Sequence, residues 1–394
     1  MATRRDRVTH QVGRAWGAIK DRRRKPEPEI EPPKPDSELD DAALFDRDHA
    51  RELEQIGHAN ILVIGQTGVG KSTLINAIFR KPLATTGTGR PVTKVVQRFE
   101  DPDVPVTLYD TKGVELGDSK RTVIRDYKRL IADHRKAPVS EHLHLLWYCM
   151  DAGQTRVEDY DLEIIRALAD EVPVILVFTQ VIDDERADAL ERAVRFENLQ
   201  LVGNRPVRTL AQPRTIGTQT LAVRGLEELV RLTNDTLPEA VRRAFVNAQG
   251  VVLDLKADQA RAVVVAASAA AAATAAAPVP MSDAILLKPI QLGMLAAITA
   301  IFGVELSKDD AGGLLKAAVG QGAIERAGKT LVLKLPGGNV LNAAVAGALT
   351  GALGEAYIRL CSEILRRRSQ DKPMPNPEMV DFLMEVYNGL LRRA

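Results

Sequence analysis

Residues 61–73 of this chain are Ile-Leu-Val-Ile-Gly-Gln-Thr-Gly-Val-Gly-Lys-Ser-Thr. An apolar run is followed directly by the pattern G-x-x-x-x-G-K-S, which predicts a strand, a tight loop and a helix. Glycines allow such a loop to turn its backbone NH groups inward as a nest for an anion, and the positive end of the following helix adds to the attraction. We therefore predict a phosphate-binding loop. Its contacts are assigned to Gly65, Gln66, Thr67, Gly68, Val69, Gly70, Lys71, Ser72 and Thr73.

Two further predictions concern the chemistry of this loop. Lys71 should reach the β- and γ-phosphates as a point charge, and the Ser72 hydroxyl is placed to bind Mg²⁺. Downstream, Asp110-Thr111-Lys112-Gly113 follows the strand-like run that ends at Tyr109. This D-x-x-G pattern supplies a carboxylate on the metal side and a backbone NH near the γ-phosphate, so we assign those roles to Asp110 and Gly113.

The segment between these motifs, residues 84–93, is rich in glycine and hydroxyl side chains and poor in residues that could pack. It is predicted to be a mobile loop. A threonine there can complete the Mg²⁺ shell while the γ-phosphate is present and release it after hydrolysis. We choose Thr93, because a strand-like run follows it. Thr88 is the alternative, and an ordinary surface loop is the remaining interpretation.

The fold class follows from the alternation of short apolar runs with helical patterns. The runs span 60–64, 104–109, 143–150, 172–178 and 206–210. This arrangement predicts an α/β domain with a mostly parallel sheet and helices on both faces, at residues 59–237. After Pro238 the pattern becomes helical, with one long helix predicted to run into the alanine-rich stretch 266–277. Residues 238–394 are therefore predicted to be an all-α domain.

The N-terminal segment, residues 1–58, has a different character. Apolar residues at helical spacing lie among arginines and lysines in residues 1–25, which predicts a basic amphipathic helix. It could attach to an anionic membrane surface or an acidic partner, or it could be a solvated tail. A proline-rich acidic linker follows.

Composition limits the class of protein. The 394 residues carry a formal charge of only +1. This argues against a global attraction to nucleic acid or to an anionic membrane, so any such contact has to come from a local basic patch. The two cysteines, Cys149 and Cys361, lack metal-ligand spacing and are predicted to be free, buried thiols in a reducing compartment. No apolar run follows the N-terminal arginines, so we predict a cytoplasmic protein, free or peripheral to the inner face of the membrane.

Two helical stretches approach the length that spans a membrane. They are residues 262–281 and 284–306, and Gly347 with Gly351 has the G-x-x-x-G spacing of close helix contact. Alanine dominates the first stretch, while Lys288 and Gln291 interrupt the second. A soluble helical bundle is therefore the favoured interpretation, and peripheral or hairpin membrane association is the alternative.

These motifs together resemble an Era-like GTPase of the translation-factor-related class. Residues 65–72 match its first motif, Thr93 its second and residues 110–113 its third. The second half resembles a bacterial group in which such a domain precedes an alanine-rich helical domain of unknown function. That likeness rests on Leu237-Pro238-Glu239, Arg242-Arg243-Ala244-Phe245, Ala248-Gln249, Pro278-Val279-Pro280 and Ile301-Phe302-Gly303. The resemblance covers residues 59–320 and implies a Mg²⁺-dependent protein that binds GTP and GDP.

The base-recognition motif of that class, Asn or Thr followed by Lys, any residue and Asp, is altered here. The strand 172–178 leads into Thr179-Gln180-Val181-Ile182-Asp183, so the lysine is replaced and the aspartate comes one place late. An aspartate accepts from the N1–H and 2-amino groups of guanine, and Asp183 could do so only if the loop bulges by one residue. Ala211 occupies the place of the last motif. The preference for guanine over adenine is inferred from the resemblance and left open by these residues.

The position that carries a water-orienting glutamine in many small GTPases is Val114 in this chain. An apolar side chain cannot position the attacking water, so intrinsic hydrolysis should be slow. A partner, a second copy across the nucleotide face, or another side chain would supply the missing group. Arg90 in the loop 84–93 is a candidate for it.

Three functions remain in competition at this level. The first is a slow GTPase switch whose helical domain is an effector or membrane-contact module. The second is nucleotide-controlled self-assembly on a membrane, as in dynamin-like or septin-like proteins. The third is a module that binds nucleotide without hydrolysing it.

Overall fold

The computed structural model describes residues 41–80, 83, 90–91, 96–101, 104–111, 120–154, 156–276, 283–306, 310, 313–314, 316–317 and 338–393, all within one compact unit. Several of the predicted or discussed positions lie outside the described residues, among them residues 1–40, 84–89, 92–93, 112–114 and 278–280, which include Thr88, Thr93, Gly113 and Val114. For Arg90 and Asp110 the description covers the backbone alone.

Nine strands lie in the described residues: β1 (Ala59–Ile64), β2 (Arg90–Pro91), β3 (Val96–Asp101), β4 (Val104–Thr111), β5 (Leu145–Asp151), β6 (Val174–Thr179), β7 (Val207–Arg208), β8 (Arg214–Ile216) and β9 (Gln219–Leu221). The helices of the same region are α1 (Asp41–Gln55), α2 (Lys71–Phe79), α3 (Lys120–His134), α4 (Asp159–Ala169), α5 (Asp184–Phe196), α6 (Leu226–Thr236), α7 (Glu239–Ala248), α8 (Leu253–Ala276), α9 (Asp283–Phe302), α10 (Gly338–Arg368) and α11 (Asn376–Leu391).

The main sheet has the order β2-β3-β4-β1-β5-β6-β7. Strands β4, β1, β5, β6 and β7 pair in parallel, and the short β2 and β3 extend the sheet antiparallel at the β4 edge. This confirms the predicted fold class. Because the five parallel strands end at one edge of the sheet, the loops that follow them meet there.

Two apolar cores cover the two faces of the sheet. Along β1 successive side chains point to opposite faces, so Ile61 and Val63 join one core and Leu62 and Ile64 the other. Helices α2, α6 and α7 pack on the first face, and α3, α4 and α5 on the second. Cys149 and Cys361 are both buried and form no disulfide, as predicted.

Helix α1 differs from the sequence prediction, which placed residues 1–58 in a tail and linker. Leu44 and Phe45 are buried on this helix, α1 packs against α9, and Asp41 forms an ion pair with Lys288. The segment is strongly charged and has few apolar residues, so its pattern alone indicated exposed chain. Its partner helix lies far away in the sequence, so no local pattern indicated that Leu44 and Phe45 would be buried.

The helix predicted to run from Pro238 into the alanine-rich stretch is two helices in the structure. Helix α7 ends at Ala248 and α8 begins at Leu253, and the buried Gln249 occupies the break. The Gln249 side chain accepts from the backbone NH groups of Val251 and Val252 and donates to the Val252 carbonyl. These bonds replace the helical bonds that the break removes.

The G-x-x-x-G pair of α10 makes the close helix contact that its spacing predicts. A Cβ atom placed on Gly347 would lie 3.3 Å from the Ser268 carbonyl oxygen of α8, and one on Gly351 would lie 3.3 Å from the Ser268 hydroxyl. The polar Gln291 of α9 is buried and donates to Thr350 of α10. Helices α8, α9 and α10 therefore pack as a bundle.

Helix α8 is the one helix of the described region that could cross a membrane by length and composition. In its most apolar part 22% of the residues are buried inside the protein. A single helix of this kind is weak evidence, because a soluble helix can have the same length and composition. Membrane association of the helical region stays a prediction.

Candidate nucleotide-binding site

The predicted phosphate-binding loop lies between β1 and α2, at the sheet edge where the parallel strands end. A Cβ atom on Gly65 would lie 2.3 Å from the Cys149 carbonyl oxygen of β5, so any side chain there would collide with backbone. Gly70 precedes α2 with φ 96°, in the left-handed region that favours glycine. Both glycines are therefore required by the course of the loop.

Lys71 is the first residue of α2 and is 7% exposed. Its ammonium group lies inside the loop, where it donates to the carbonyl oxygens of Gly65 at 2.8 Å and Gln66 at 3.1 Å. An ammonium so placed, beside NH groups at a helix N-terminus, is suited to bind a phosphate chain. Ser72 in the same turn is exposed, and Thr73 is partly buried.

A buried network behind the loop escaped the sequence analysis. Asp161 of α4 is 2% exposed, accepts from the Tyr148 hydroxyl at 2.6 Å, and lies 3.5 Å from the Gln66 side-chain nitrogen. Burial raises the pKa of the Asp161 carboxyl, while the Tyr148 hydrogen bond opposes that rise. The network links Gln66, the residue after the first glycine of the loop, to β5 and α4. Gln66 thus has a supporting partner that no local pattern indicated.

The residues that follow β6 contact the loop directly. The Thr179 hydroxyl is buried and lies 2.5 Å from the Val69 carbonyl oxygen and 3.0 Å from that of Met150. The Gln180 amide donates to the Asp151 carboxylate at 3.1 Å and to the Gly68 carbonyl at 3.3 Å. The structure therefore brings the predicted Thr179 and Gln180 together with the phosphate loop.

Asp183 is placed elsewhere. It is the residue before α5, where its carboxylate accepts from the backbone NH groups of Glu185 at 3.0 Å and Arg186 at 3.2 Å. Such a contact satisfies otherwise unpaired NH groups at a helix start. Asp183 does not line the cavity beside the phosphate loop, whereas Ile182 does and is 43% exposed. The structure therefore shows Asp183 as a helix cap and does not bring it together with the other predicted residues.

The cavity beside the phosphate loop has a volume of about 350 Å³. One end is formed by the loop and α2, and the walls come from the segments after β5, β6 and β7. Its lining comprises Gly68, Gly70, Thr73, Leu74, Asp151, Gly153, Thr179, Gln180, Ile182, Thr209, Leu210, Ala211, Gln212 and Arg214. The predicted Ala211 is among them. Asp151, Gln212 and Arg214 were missed, because each lies at or near the end of a strand without belonging to a recognisable motif.

Ser72 and Asp110 are residue types that could hold a magnesium ion. Ser72 is exposed in the first turn of α2, and Asp110 lies near the carboxyl end of β4, paired in register with Val63 of β1. Mg²⁺ prefers oxygen ligands and commonly uses one or two side chains together with phosphate oxygens. Ser72 and Asp110 would hold such an ion, which would supply positive charge to offset the negative charge of the phosphates. Within the described residues no group of three or more His, Cys, Asp or Glu side chains could hold a metal alone.

Comparison with known proteins divides the chain into two matched parts. Residues 60–180 match the family described as 50S ribosome-binding GTPase, and residues 241–388 match a domain of unknown function, DUF697. The second match begins within α7.

Curated relatives align with part of the chain. The tRNA modification GTPase MnmE of Janthinobacterium sp. (strain Marseille) is 24% identical over 220 residues, which are 51% of this chain and 45% of that protein. The GTPase Der of Wolinella succinogenes is 31% identical over 130 residues, or 32% of this chain and 26% of that protein. The chain thus spans less than half the length of either relative. With the loop geometry and the parallel sheet, these matches support a P-loop GTPase domain at residues 60–180, followed by a helical region that is similar to DUF697.

Proposed function

We propose that this protein binds GTP and GDP with Mg²⁺ and hydrolyses GTP slowly as a molecular switch of the Era-like class. One observation carries the proposal: the two ends of α2 face different partners. Its N-terminal end is suited to bind phosphate, and its C-terminal end contacts the start of the helical region. The Gly250 backbone NH donates to the Ile78 carbonyl oxygen at 2.9 Å. Both ends of one short, nine-residue helix thus have a partner, nucleotide at one and the helical region at the other.

Further contacts support this connection. The Phe79 ring packs edge to face on Phe245 of α7, with ring centroids 6.3 Å apart. The ammonium group of the buried Lys256 donates to the carbonyl oxygens of Asn247, Ile301 and Phe302, at the C-terminal ends of α7 and α9. A shift of α2 would therefore be passed to the junction of α7, α8 and α9.

In this proposal Ser72, Thr93 and Asp110 hold the magnesium ion, and Lys71 with the Gly113 NH stabilises the γ-phosphate. Val114 supplies no polar group to the attacking water, so turnover is slow without help. A second copy across the nucleotide face or a separate partner would accelerate it. The protein acts in the cytoplasm or at the inner face of the membrane, where residues 1–25 or the helical region contact anionic lipid.

The first experiment measures nucleotide binding and single-turnover hydrolysis with and without Mg²⁺. Lys71→Ala should weaken GTP binding at least about 100-fold, because two charge-assisted phosphate contacts are lost. Arg192→Ala, which removes an exposed arginine of α5 outside the cavity, is the matched control and should bind GTP normally. Retained affinity in Lys71→Ala would refute the assignment of the phosphate loop.

The second experiment tests the switch itself. Hydrogen exchange of the backbone NH groups at 249–256 is compared between the GDP state and the state with a non-hydrolysable GTP analogue. The proposal requires a difference at the Gly250 NH, since its acceptor belongs to α2. Identical exchange in both states would contradict coupling through this contact.

A second candidate function is nucleotide-controlled self-assembly on a membrane. The observation that favours it is the solvent-facing side of α8, which has apolar residues where a soluble helix usually presents charges. These exposed residues are Ala262, Val265, Ala266, Ala269, Ala270, Ala273 and Ala276. A GTPase rate that rises with protein concentration, together with co-sedimentation with lipid vesicles, would favour assembly over a simple switch. Absence of any single turnover with Mg²⁺ would favour a module that binds without hydrolysing.

A further inference from the structure

We infer that Arg214 selects guanine in this chain, in place of the carboxylate that the family motif supplies. This inference rests on the proposed nucleotide-binding function and names the residue that gives the same cavity its base preference. The residues that bear on this preference lie on the two walls of the 350 Å³ cavity, beyond its phosphate end.

The orientation of the nucleotide follows from the lining. Gly68, Gly70 and Thr73 form the phosphate end of the cavity. The base must then lie farther out, between the segment 179–182 after β6 and the segment 209–214 after β7. Selectivity for a purine has to come from groups on these two walls.

The wall after β6 has no free carboxylate for the N1–H and 2-amino groups of guanine. Ile182 faces the cavity at the place where the family motif has its aspartate, and Asp183 caps α5. The Asp151 carboxylate is engaged on both oxygens, one accepting from the Gly153 NH at 2.7 Å and the other from the Gln180 amide at 3.1 Å. At the motif position this wall therefore presents Ile182, and no carboxylate, to the Watson–Crick edge of guanine.

The opposite wall offers a cation. Arg214 lines the cavity and is exposed, and its side chain makes no hydrogen bond or ion pair within the part of the chain that the structure describes. Neighbouring arginines differ in this respect: Arg205 pairs with Glu228, Arg208 with Asp188 and Glu191, and Arg224 with Asp184. The guanidinium of Arg214 is therefore available to a ligand.

The β8–β9 hairpin holds Arg214 at this place. Arg214 begins β8 and pairs with Leu221 of β9. At the base of the hairpin the backbones of Leu210 and Arg224 exchange hydrogen bonds of 3.0 and 3.1 Å. The connecting segment contains Pro213, whose ring restricts the backbone further. The backbone of Arg214 is thus fixed beside the cavity, and its long side chain supplies the reach.

Arginine chemistry favours guanine over adenine. Guanine presents two adjacent acceptors, O6 and N7, which match the two parallel donors of a guanidinium. Adenine replaces O6 by an amino donor, so one bond is lost and two donors face each other. A bidentate contact of this kind discriminates by about 5- to 150-fold.

The test uses base analogues that separate the two ways of recognising guanine. Inosine triphosphate keeps O6 and N7 but lacks the 2-amino group, and 7-deaza-GTP lacks N7. If Arg214 contacts the O6/N7 edge, inosine triphosphate binds within about twofold of GTP and 7-deaza-GTP binds at least about fivefold more weakly. If a carboxylate recognised the N1–H and 2-amino groups instead, inosine triphosphate would bind more weakly than 7-deaza-GTP.

The variants are Arg214→Ala, Arg214→Lys and the control Arg192→Ala, each titrated with GTP and ATP. Arg214→Ala should lower the GTP-to-ATP affinity ratio about 5-fold or more while leaving ATP affinity unchanged, and Arg214→Lys should lose most of the selectivity, because lysine lacks the planar fork. Arg192→Ala should keep the wild-type ratio.

The outcomes separate this inference from the proposed function. An unchanged ratio in Arg214→Ala, equal affinity of the wild type for GTP and ATP, or inosine triphosphate binding much more weakly than GTP would overturn the role of Arg214 and leave nucleotide binding standing. A wild type that binds no triphosphate in the presence of Mg²⁺ would overturn the proposed function as well.

Discussion

Replacing Gln180 by lysine, the residue of the family motif, should stabilise the folded protein through Asp151. The Gln180 amide nitrogen lies 3.1 Å from the Asp151 carboxylate and 3.3 Å from the Gly68 carbonyl oxygen. Within the described residues the carboxylate has no cationic partner, only this amide and the Gly153 NH. A lysine ammonium at the same place would turn a bond between a neutral donor and an anion into an ion pair.

The expected size of the effect follows from the exposure of the pair. Both side chains are partly buried at the mouth of the cavity, where an added ion pair contributes about 0.5–1 kcal/mol. For a chain of this size that corresponds to a rise in Tm of roughly 0.5–1 °C. The gain in Tm should shrink as the salt concentration rises from about 0.05 to 1 M, because the screening length then falls from about 14 to about 3 Å.

The assay is thermal unfolding of a double-mutant cycle with Gln180→Lys, Asp151→Asn and the combination. Gln219→Lys, on the exposed strand β9, adds the same charge away from the cavity and is the control. The increase in Tm should vanish in the Asp151→Asn background. An equal increase there, or an equal increase from Gln219→Lys, would refute the ion-pair reasoning.

Three further predictions concern stability and binding. Thr179→Val should cost about 1–3 kcal/mol, because the carbonyl oxygens near its hydroxyl lose a donor, and calorimetric titration should show weaker GTP binding through the loosened loop. Gly351→Leu should overpack the α8–α10 contact and lower the free energy of unfolding by about 1–3 kcal/mol, measured by urea unfolding. The control is Gly389→Leu, at a helix position with open space around it, which should not overpack. Burial lowers the pKa of Lys256 from 10.5 to about 7 in the folded protein. Between pH 7 and 10.5 the unfolded chain therefore binds more protons than the folded protein does. The free energy of unfolding should then rise with pH, by up to about 1.4 kcal/mol per pH unit. Lys256→Met should abolish that slope, and a slope unchanged in this variant would show that another group titrates.

Several features of the fold and site could be predicted because they are encoded locally. The loop 65–72 combines glycines, a lysine and a hydroxyl within eight residues, each placed by the requirements of a phosphate nest. The parallel sheet was indicated by apolar runs that are buried on both faces and separated by helical patterns. The contact at Gly347 and Gly351 follows from helical periodicity, which places small residues four apart on one face.

The base-recognition loop shows where such local reasoning ends. The sequence allowed Asp183 to contact a base if the loop bulged, and no local pattern decided between a bulge and a helix cap. The structure places its carboxylate on the backbone of α5 and Ile182 at the cavity. Asp151 and Arg214 lie beside that cavity only because β5 and β7 end at the same edge of the sheet as β1.

By itself the sequence determined the phosphate loop, the α/β sheet and the helical second half, because short-range spacing and periodicity carry that information. The tertiary structure alone decided that α1 packs against α9, that Gln249 breaks the long helix, and that Asp161 supports Gln66. The first and third of these depend on residues distant in the chain that meet only after folding, and the break at Gln249 lets the Gly250 NH reach the Ile78 carbonyl of α2. Burial then determines which polar groups must find partners and which remain available to a ligand.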